Sequence, residues 1–137
     1  MDVVALIGRI LFVVLFLGSG YGHLAQTEAL AGYASSKGVP AAKLATQASG
    51  VLLIVGALMV LLGIWADLGA LLLVVFLIPT ALLMHAFWRE TDPQAKQTEM
   101  VHFQKDMALA GAALLIFALI AQLGTGFGLA ITDPLFK

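Results

Sequence analysis

Residues 48–88 read ASGVLLIVGALMVLLGIWADLGALLLVVFLIPTALLMHAFW, two apolar runs with Asp67 as the single acidic or basic charge between their ends. Crossing the hydrocarbon of a bilayer takes about 20 mostly apolar residues, and Ala48–Trp65 and Leu68–Trp88 each meet that length. Lipid offers no partner for open backbone N–H and C=O groups, so both runs must be helices. Only Ala66 and Asp67 separate them, which forces an antiparallel hairpin.

Working outward, Val3–Gly22, with Arg9 inside it, and Met107–Leu123 satisfy the same criterion. The expected fold is therefore all-α, an integral membrane four-helix bundle forming one domain over 1–137. Its helices should lie at about 3–22, 48–65, 68–88 and 107–123. The whole composition agrees: 61% of the 137 residues are hydrophobic and 11% charged, with a mean hydropathy of +1.03. A soluble domain carries about 25% charge, so membrane lipid is the solvent. A net charge of −1 leaves no basic field for nucleic acid. The absence of cysteine excludes disulfides, thiolate nucleophiles and iron–sulfur clusters, and redox chemistry would need a bound molecule, a metal or a partner. Asp2 stands where a secretory signal has basic residues, so the first run is read as a retained helix.

The hairpin places both long connections, 23–47 and 89–106, on one face of the membrane. Lys37, Lys43, Arg89, Lys96 and Lys105 lie on that face, against Arg9 and Lys137 on the other. By the positive-inside rule the long connections are cytoplasmic. In the first connection, Thr27-Glu28 starts a helix, Gly38 stops it and Pro40 bounds it, with Leu30, Tyr33 and Ala34 as an apolar stripe. A short helix lying in the interface is expected. The second connection holds seven charges in 18 residues and reads as a solvated arm, partly helical from Gln94.

Gly18 and Gly22 form a GxxxG pair, and Gly56 and Gly63 stand seven apart; such spacing suits close helix packing within the chain or in a homo-oligomer. Pro79 removes a backbone donor two turns before His85 and should kink its helix, with room for a cavity. Arg9 needs an acceptor, for which Asp2, Asp67 and Gln122 are the candidates; it is either a structural clamp or a functional cation.

The chemistry-bearing side chains gather toward the face of the long connections. His23 ends the first membrane helix, His85 ends the third and His102 precedes the fourth. Glu99, His102 and Asp106 share one side of a helical arm, a group suited to proton relay or polar support, with Arg9 as a further polar support. Glu99-x-x-His102 is half of a di-iron signature whose second copy is missing, so no metal site is assigned. A haem between His23 and His85 is an alternative. His85-Ala-Phe-Trp88-Arg89 offers imidazole, aromatics and a cation in one place, as does an ordinary interfacial belt. The same group suits a quinone, whose ring stacks on Trp88 and whose carbonyl oxygens accept from His85 or Arg89, with Tyr33 and His23 at the same mouth. No nucleophile elbow, phosphate loop or HExxH motif occurs.

These features in this order resemble the DoxX family of small four-helix bacterial inner-membrane proteins. They are Arg9, Gly18-Ser-Gly-Tyr-Gly22, Tyr33 with Lys37-Gly-Val-Pro40, His85-Ala-Phe-Trp88 and Phe103-Gln-Lys-Asp106. His23-Leu24 stands where such proteins often have Lys-Leu, and Asp106 where an Asn is common. The resemblance implies a redox-associated membrane protein, since related proteins form the membrane subunit of thiosulfate:quinone oxidoreductase. It would be quinone-linked, or an accessory subunit working with a redox partner protein. The competing readings are a non-catalytic scaffold that holds a partner through its charged arm, and a small-molecule transporter, for which no repeat symmetry is visible.

Overall fold

A computed structural model describes residues 1–136; Lys137, counted above among the charges of the opposite face, lies outside the described residues. The chain is all-helical among those residues. Its elements are α1 (Asp2–Ala25), α2 (Thr27–Ser36), α3 (Ala42–Leu62), α4 (Ala66–Met84) and α5 (Pro93–Leu123), with single 3-10 turns at Phe87–Arg89 and Gly124–Phe127. Four helical stretches are long and apolar enough to cross a membrane, and α2 is the short interfacial helix expected between the first two.

The boundaries differ from the hydropathy reading in ways the backbone explains. Gly63 and Trp65 both adopt left-handed conformations (φ 67° and 41°), so the hairpin turns at 63–65, and Ala66 and Asp67 already belong to the first turn of α4. At the other end α4 stops at Met84, leaving His85 and Ala86 outside any helix. The arm after it is helix from Pro93 onward rather than solvated chain. Asp92 caps it by accepting from the Ala95 N–H at 2.8 Å, and Pro93 occupies the first helical turn, where its missing N–H costs nothing. At about 46 Å, α5 is longer than the hydrocarbon is thick.

Side chains of four helices meet in one core: Val13 and Phe16 of α1, Leu53, Ala57 and Val60 of α3, Ala70, Leu73 and Leu77 of α4, and Ala110 of α5. Because lipid supplies no hydrophobic drive between helices, close backbone approach through small residues holds them. The glycines that perform this are not the expected Gly18–Gly22 pair, around which a side chain would meet nothing within 4 Å. They are Gly20 against Gly50, joining α1 to α3, and Gly56 against Gly69, joining α3 to α4. A Cβ on Gly69 would stand 2.7 Å from Met59 Cβ and 2.9 Å from the Gly56 carbonyl oxygen.

At the end of the bundle that carries the Gly63 turn, Arg9 is buried, and none of its three expected acceptors holds it. Its guanidinium donates to the carbonyls of Leu129 (2.5 Å) and Val60 (3.5 Å), and Nε has no partner. The segment after α5 lies over this end. Ile131 and Thr132 donate to the Gly63 carbonyl, the Trp65 N–H donates to Thr132 Oγ1, and the Phe136 N–H donates to the fully buried Asp67. Arg9 is thus a clamp between α1, α3 and the C-terminal segment.

Gly69→Ala should force α3 and α4 apart and destabilise the protein by about 1–3 kcal/mol, whereas Gly18→Ala, in open space, should be neutral; detergent melting curves of the two variants check the contrast. Deleting residues 129–136 removes the Leu129 carbonyl from Arg9 and the Phe136 N–H from Asp67 together, and the truncated chain should melt at a lower temperature than Gly18→Ala.

Candidate functional site

At the opposite end of the bundle from Arg9, α3 and α4 leave a cavity of about 450 Å³. Its floor is Leu52 and Phe76, its sides are Thr46 and Ser49 of α3 and Pro79 and Thr80 of α4, and its roof is Leu30, Tyr33 and Ala34 of α2 with Val39. Val75, Pro79 and Leu83 are all exposed on the outer surface of α4, so the cavity opens sideways to the bilayer. Pro79 belongs to this wall. Helix α4 continues through it, and without an N–H it leaves the Val75 carbonyl free of its helical donor.

The wall is almost wholly apolar in effect. Thr46 Oγ1 and Ser49 Oγ donate to the carbonyls of Ala42 and Thr46 within α3, which satisfies them locally. The imidazoles of His23 and His85 both line the space. His23 donates from Nδ1 to the Ser19 carbonyl at 2.7 Å and meets Phe76 edge-on, which leaves its Nε2 without a hydrogen-bond partner among the described residues.

His85 opens a polar network. Its Nδ1 donates to Glu99 Oε2 at 2.7 Å, its Nε2 stands 3.7 Å from Asp106 Oδ2, and its ring stacks on His102 at 5.0 Å between centroids. A carboxylate can only accept, so the short contact to Glu99 fixes the proton on Nδ1. Tyr33 Oη donates to Glu99 Oε1 at 2.7 Å, and Lys37 reaches Glu90 at 2.8 Å and the same Glu99 oxygen at 3.4 Å. Asp106 is buried, with Lys105 at 3.5 Å. Glu99 and Asp106 are seven residues apart on α5, two turns on one face, which is why both carboxylates reach the same imidazole.

Of the residues singled out from the sequence, the fold brings His23, Tyr33 and His85 to the cavity lining and Glu99, His102 and Asp106 around His85, outside the lining. Trp88 and Arg89 are placed elsewhere. Because α4 ends at Met84, they fall on the 3-10 turn, where Trp88 packs edge-on against Phe87 and Phe103 and Arg89 lines a separate cleft of about 350 Å³ with Lys37 and Glu90. Neither touches the cavity, whose aromatic lining is Phe76 and Tyr33. Lys37 and Glu90 were not anticipated as part of the network; both sat in connections that read as solvent-facing charge. Arg9 belongs to the other end of the molecule.

Burial lifts the Tyr33 phenol above the ordinary tyrosine value, and its bond to Glu99 adds to the effect. The bond to Glu90 lifts the Lys37 ammonium, against the opposing effect of its own burial. Both groups hold their protons more tightly folded than unfolded. The stability they contribute is therefore complete below the ordinary Tyr and Lys values and is lost as pH rises through the raised ones.

The DoxX family profile matches residues 4–86. The chain belongs to the DoxX family. It is also 30% identical over 114 residues to the inner membrane protein YphA of Escherichia coli strain K12, an alignment covering 83% of this chain and 81% of that protein. No solved structure matches it. With four membrane-length helices and an inner-membrane relative, this DoxX protein is a multi-pass protein of the bacterial inner membrane. The family match ends at Ala86, so it takes in the cavity walls on α1 to α4 but not the carboxylates of α5.

In spectrophotometric titration of the folded protein in detergent, Tyr33, identified by its loss in Tyr33→Phe, should ionise at higher pH than free tyrosine. Glu99→Gln should bring it part of the way back, because burial remains. An unshifted Tyr33 would show that its contact to Glu99 does not form in solution.

Proposed function

We propose that this DoxX protein binds a quinone-class, lipid-soluble redox carrier in the lateral cavity, as the membrane subunit of an oxidoreductase whose partner protein supplies the electrons. The observation that carries the reading is the polarity gradient of the cavity. It is open to lipid and apolar along Val75, Pro79 and Leu83, and it ends on His23, Tyr33 and His85. A carrier with an isoprenoid tail and a ring bearing two carbonyl oxygens has the same gradient. Its tail would leave through the lateral opening while its head meets the imidazoles. A pocket of this kind, mostly apolar with a few convergent polar groups, is the usual form of a small-molecule site.

The residues then have separate roles. Phe76 and Tyr33 flank the ring. In its charged form His85 donates from Nε2 to one carbonyl oxygen while Nδ1 stays on Glu99, and Glu99 and Asp106, on either side of it, stabilise that form and return a proton after transfer. With its proton on Nδ1, His23 presents an acceptor at Nε2, which suits the second hydroxyl of the reduced carrier. Reduction of a quinone to a quinol consumes two electrons and two protons. The imidazoles address the protons only; without cysteine the chain has no cluster or thiolate of its own, which is why the electron source is assigned to a partner.

A short-chain ubiquinone analogue should raise the melting temperature of the detergent-purified protein. His85→Ala should weaken that protection by about tenfold in concentration, the loss expected for one hydrogen bond to a charged group. Ser49→Leu should abolish it by filling the cavity, with the unliganded melting temperature retained. Protection that is equal in all three proteins would sink the reading. An organic extract of the same preparation, together with its oxidised-minus-reduced spectrum, separates retained quinone from a haem held by His23 and His85.

A further inference from the structure

We infer that the cavity is built to hold the reduced form of its carrier, a quinol, in preference to the quinone. This specificity rests on the quinone-class reading above, and it follows from which groups of the lining have already given their protons away. Thr46 Oγ1 donates to the Ala42 carbonyl at 2.8 Å, Ser49 Oγ to the Thr46 carbonyl at 2.9 Å and Tyr33 Oη to Glu99 at 2.7 Å. A hydroxyl has one proton, so what these three have left to offer a ligand is lone pairs. His23 is in the same position. The Ser19 carbonyl can only accept, so the 2.7 Å contact fixes the imidazole proton on Nδ1 and makes Nε2 an acceptor. The Val75 carbonyl, which Pro79 leaves without its helical donor, is one more acceptor on the same wall.

The acceptors are grouped. A Cβ on Gly50 would stand 2.9 Å from His23 Cβ, so α1 passes α3 one residue from Ser49, which is itself three residues on from Thr46. Two lining groups can serve either way. The Thr80 hydroxyl rotates to suit its partner, and His85, with Nδ1 on Glu99, accepts at Nε2 when neutral and donates there when charged. The balance of the lining therefore lies with accepting.

A quinone ring presents two carbonyl oxygens, which can only accept, whereas a quinol presents two hydroxyls, which donate. Water would repair a mismatch at an exposed site, but this cavity opens on hydrocarbon, which has no donors or acceptors to lend. To meet a quinone, a wall hydroxyl must leave the acceptor it already has, so one hydrogen bond is gained and another lost. A quinol meets the wall as it stands. One hydrogen bond kept rather than exchanged is worth about tenfold in affinity. Reduction of the bound carrier takes two electrons from the partner and two protons, turns both carbonyls into hydroxyls and so ends on the better-held form. A tenfold preference makes the bound couple about 30 mV easier to reduce than the free one. The acceptor wall thereby favours the entry of electrons from the partner.

The test compares two redox forms of one molecule. A short-chain ubiquinone analogue is added to the detergent-purified protein as the quinone in air, or as the quinol under argon with a reductant, which has no disulfide to break in a chain without cysteine. The quinol should give the same rise in melting temperature at about one tenth of the quinone concentration. Its dimethyl ether, which keeps the ring and tail and loses both donors, should protect no better than the quinone. His23→Phe retains a ring against Phe76 and deletes the Nε2 acceptor. It should weaken protection by the quinol about tenfold and leave that by the quinone unchanged. The first two comparisons use the unaltered protein, so they decide the matter whether or not the variant folds. Equal protection by quinone and quinol, or a dimethyl ether as effective as the quinol, overturns the preference and leaves the quinone-class reading standing. Protection by neither redox form overturns both.

Discussion

The close approach of α3 and α4 at Gly56 and Gly69 determines the rest of the molecule. A backbone oxygen of α3 would lie 2.9 Å from any Cβ placed on Gly69, so the two helices touch there through their main chains. Straight helices that meet at one level and cross must diverge at another. They are pinned together at the Gly63 turn and separate toward α2, and the volume opened between them is the cavity. Pro79 lies in the diverging part, where α4 has already left the tight contact and can spare a hydrogen bond.

The same constraint sorts the polar residues into two ends with different tasks. Where the helices are tight, charges can be retained only by the backbone. Arg9 is held by two carbonyls and Asp67 by one N–H, and each keeps one atom without a partner. Neither is arranged to exchange a proton with anything outside. Where the helices diverge, charges meet other side chains. His85 has carboxylates at both nitrogens, and Glu99 has three donors. Hydrogen bonds in a side-chain network of this kind polarise one another, whereas the backbone contacts at the other end stand singly.

The membrane fold was legible because it follows from length and hydropathy alone, and the short helix from Thr27 was legible because Thr27-Glu28 and Gly38 bracket it. The arrangement of the site was legible in part. Glu99, His102 and Asp106 share a helix face by spacing, and a continuous α5 was signalled by Asp92-Pro93, a cap followed by a proline at the first turn. Trp88 and Arg89 were displaced because the span read from hydropathy runs to Trp88, with Arg89 just after it, whereas the backbone ends the helix four residues before Trp88, at Met84. The partners of Arg9 were illegible for a deeper reason. They are main-chain carbonyls, which every residue has, so no pattern of side chains announces them. Glycine spacing misled in a similar way: Gly18 and Gly22 share a face, but Gly20 is the one that meets α3, and which face of α1 turns inward is set by Val13 and Phe16.

The cavity sits between a roof that is weakly anchored and a floor that is not. Phe16, Leu53, Leu73 and Leu77 are fully buried just beyond Leu52 and Phe76, in cores that tolerate little change of volume. A molecule entering through the lateral opening therefore meets a firm boundary at the floor and a softer one at α2, whose buried face is two alanines. The polar contacts that tie α2 down are shared among three carboxylates, Glu28, Glu90 and Glu99, so no single charge holds the roof in place.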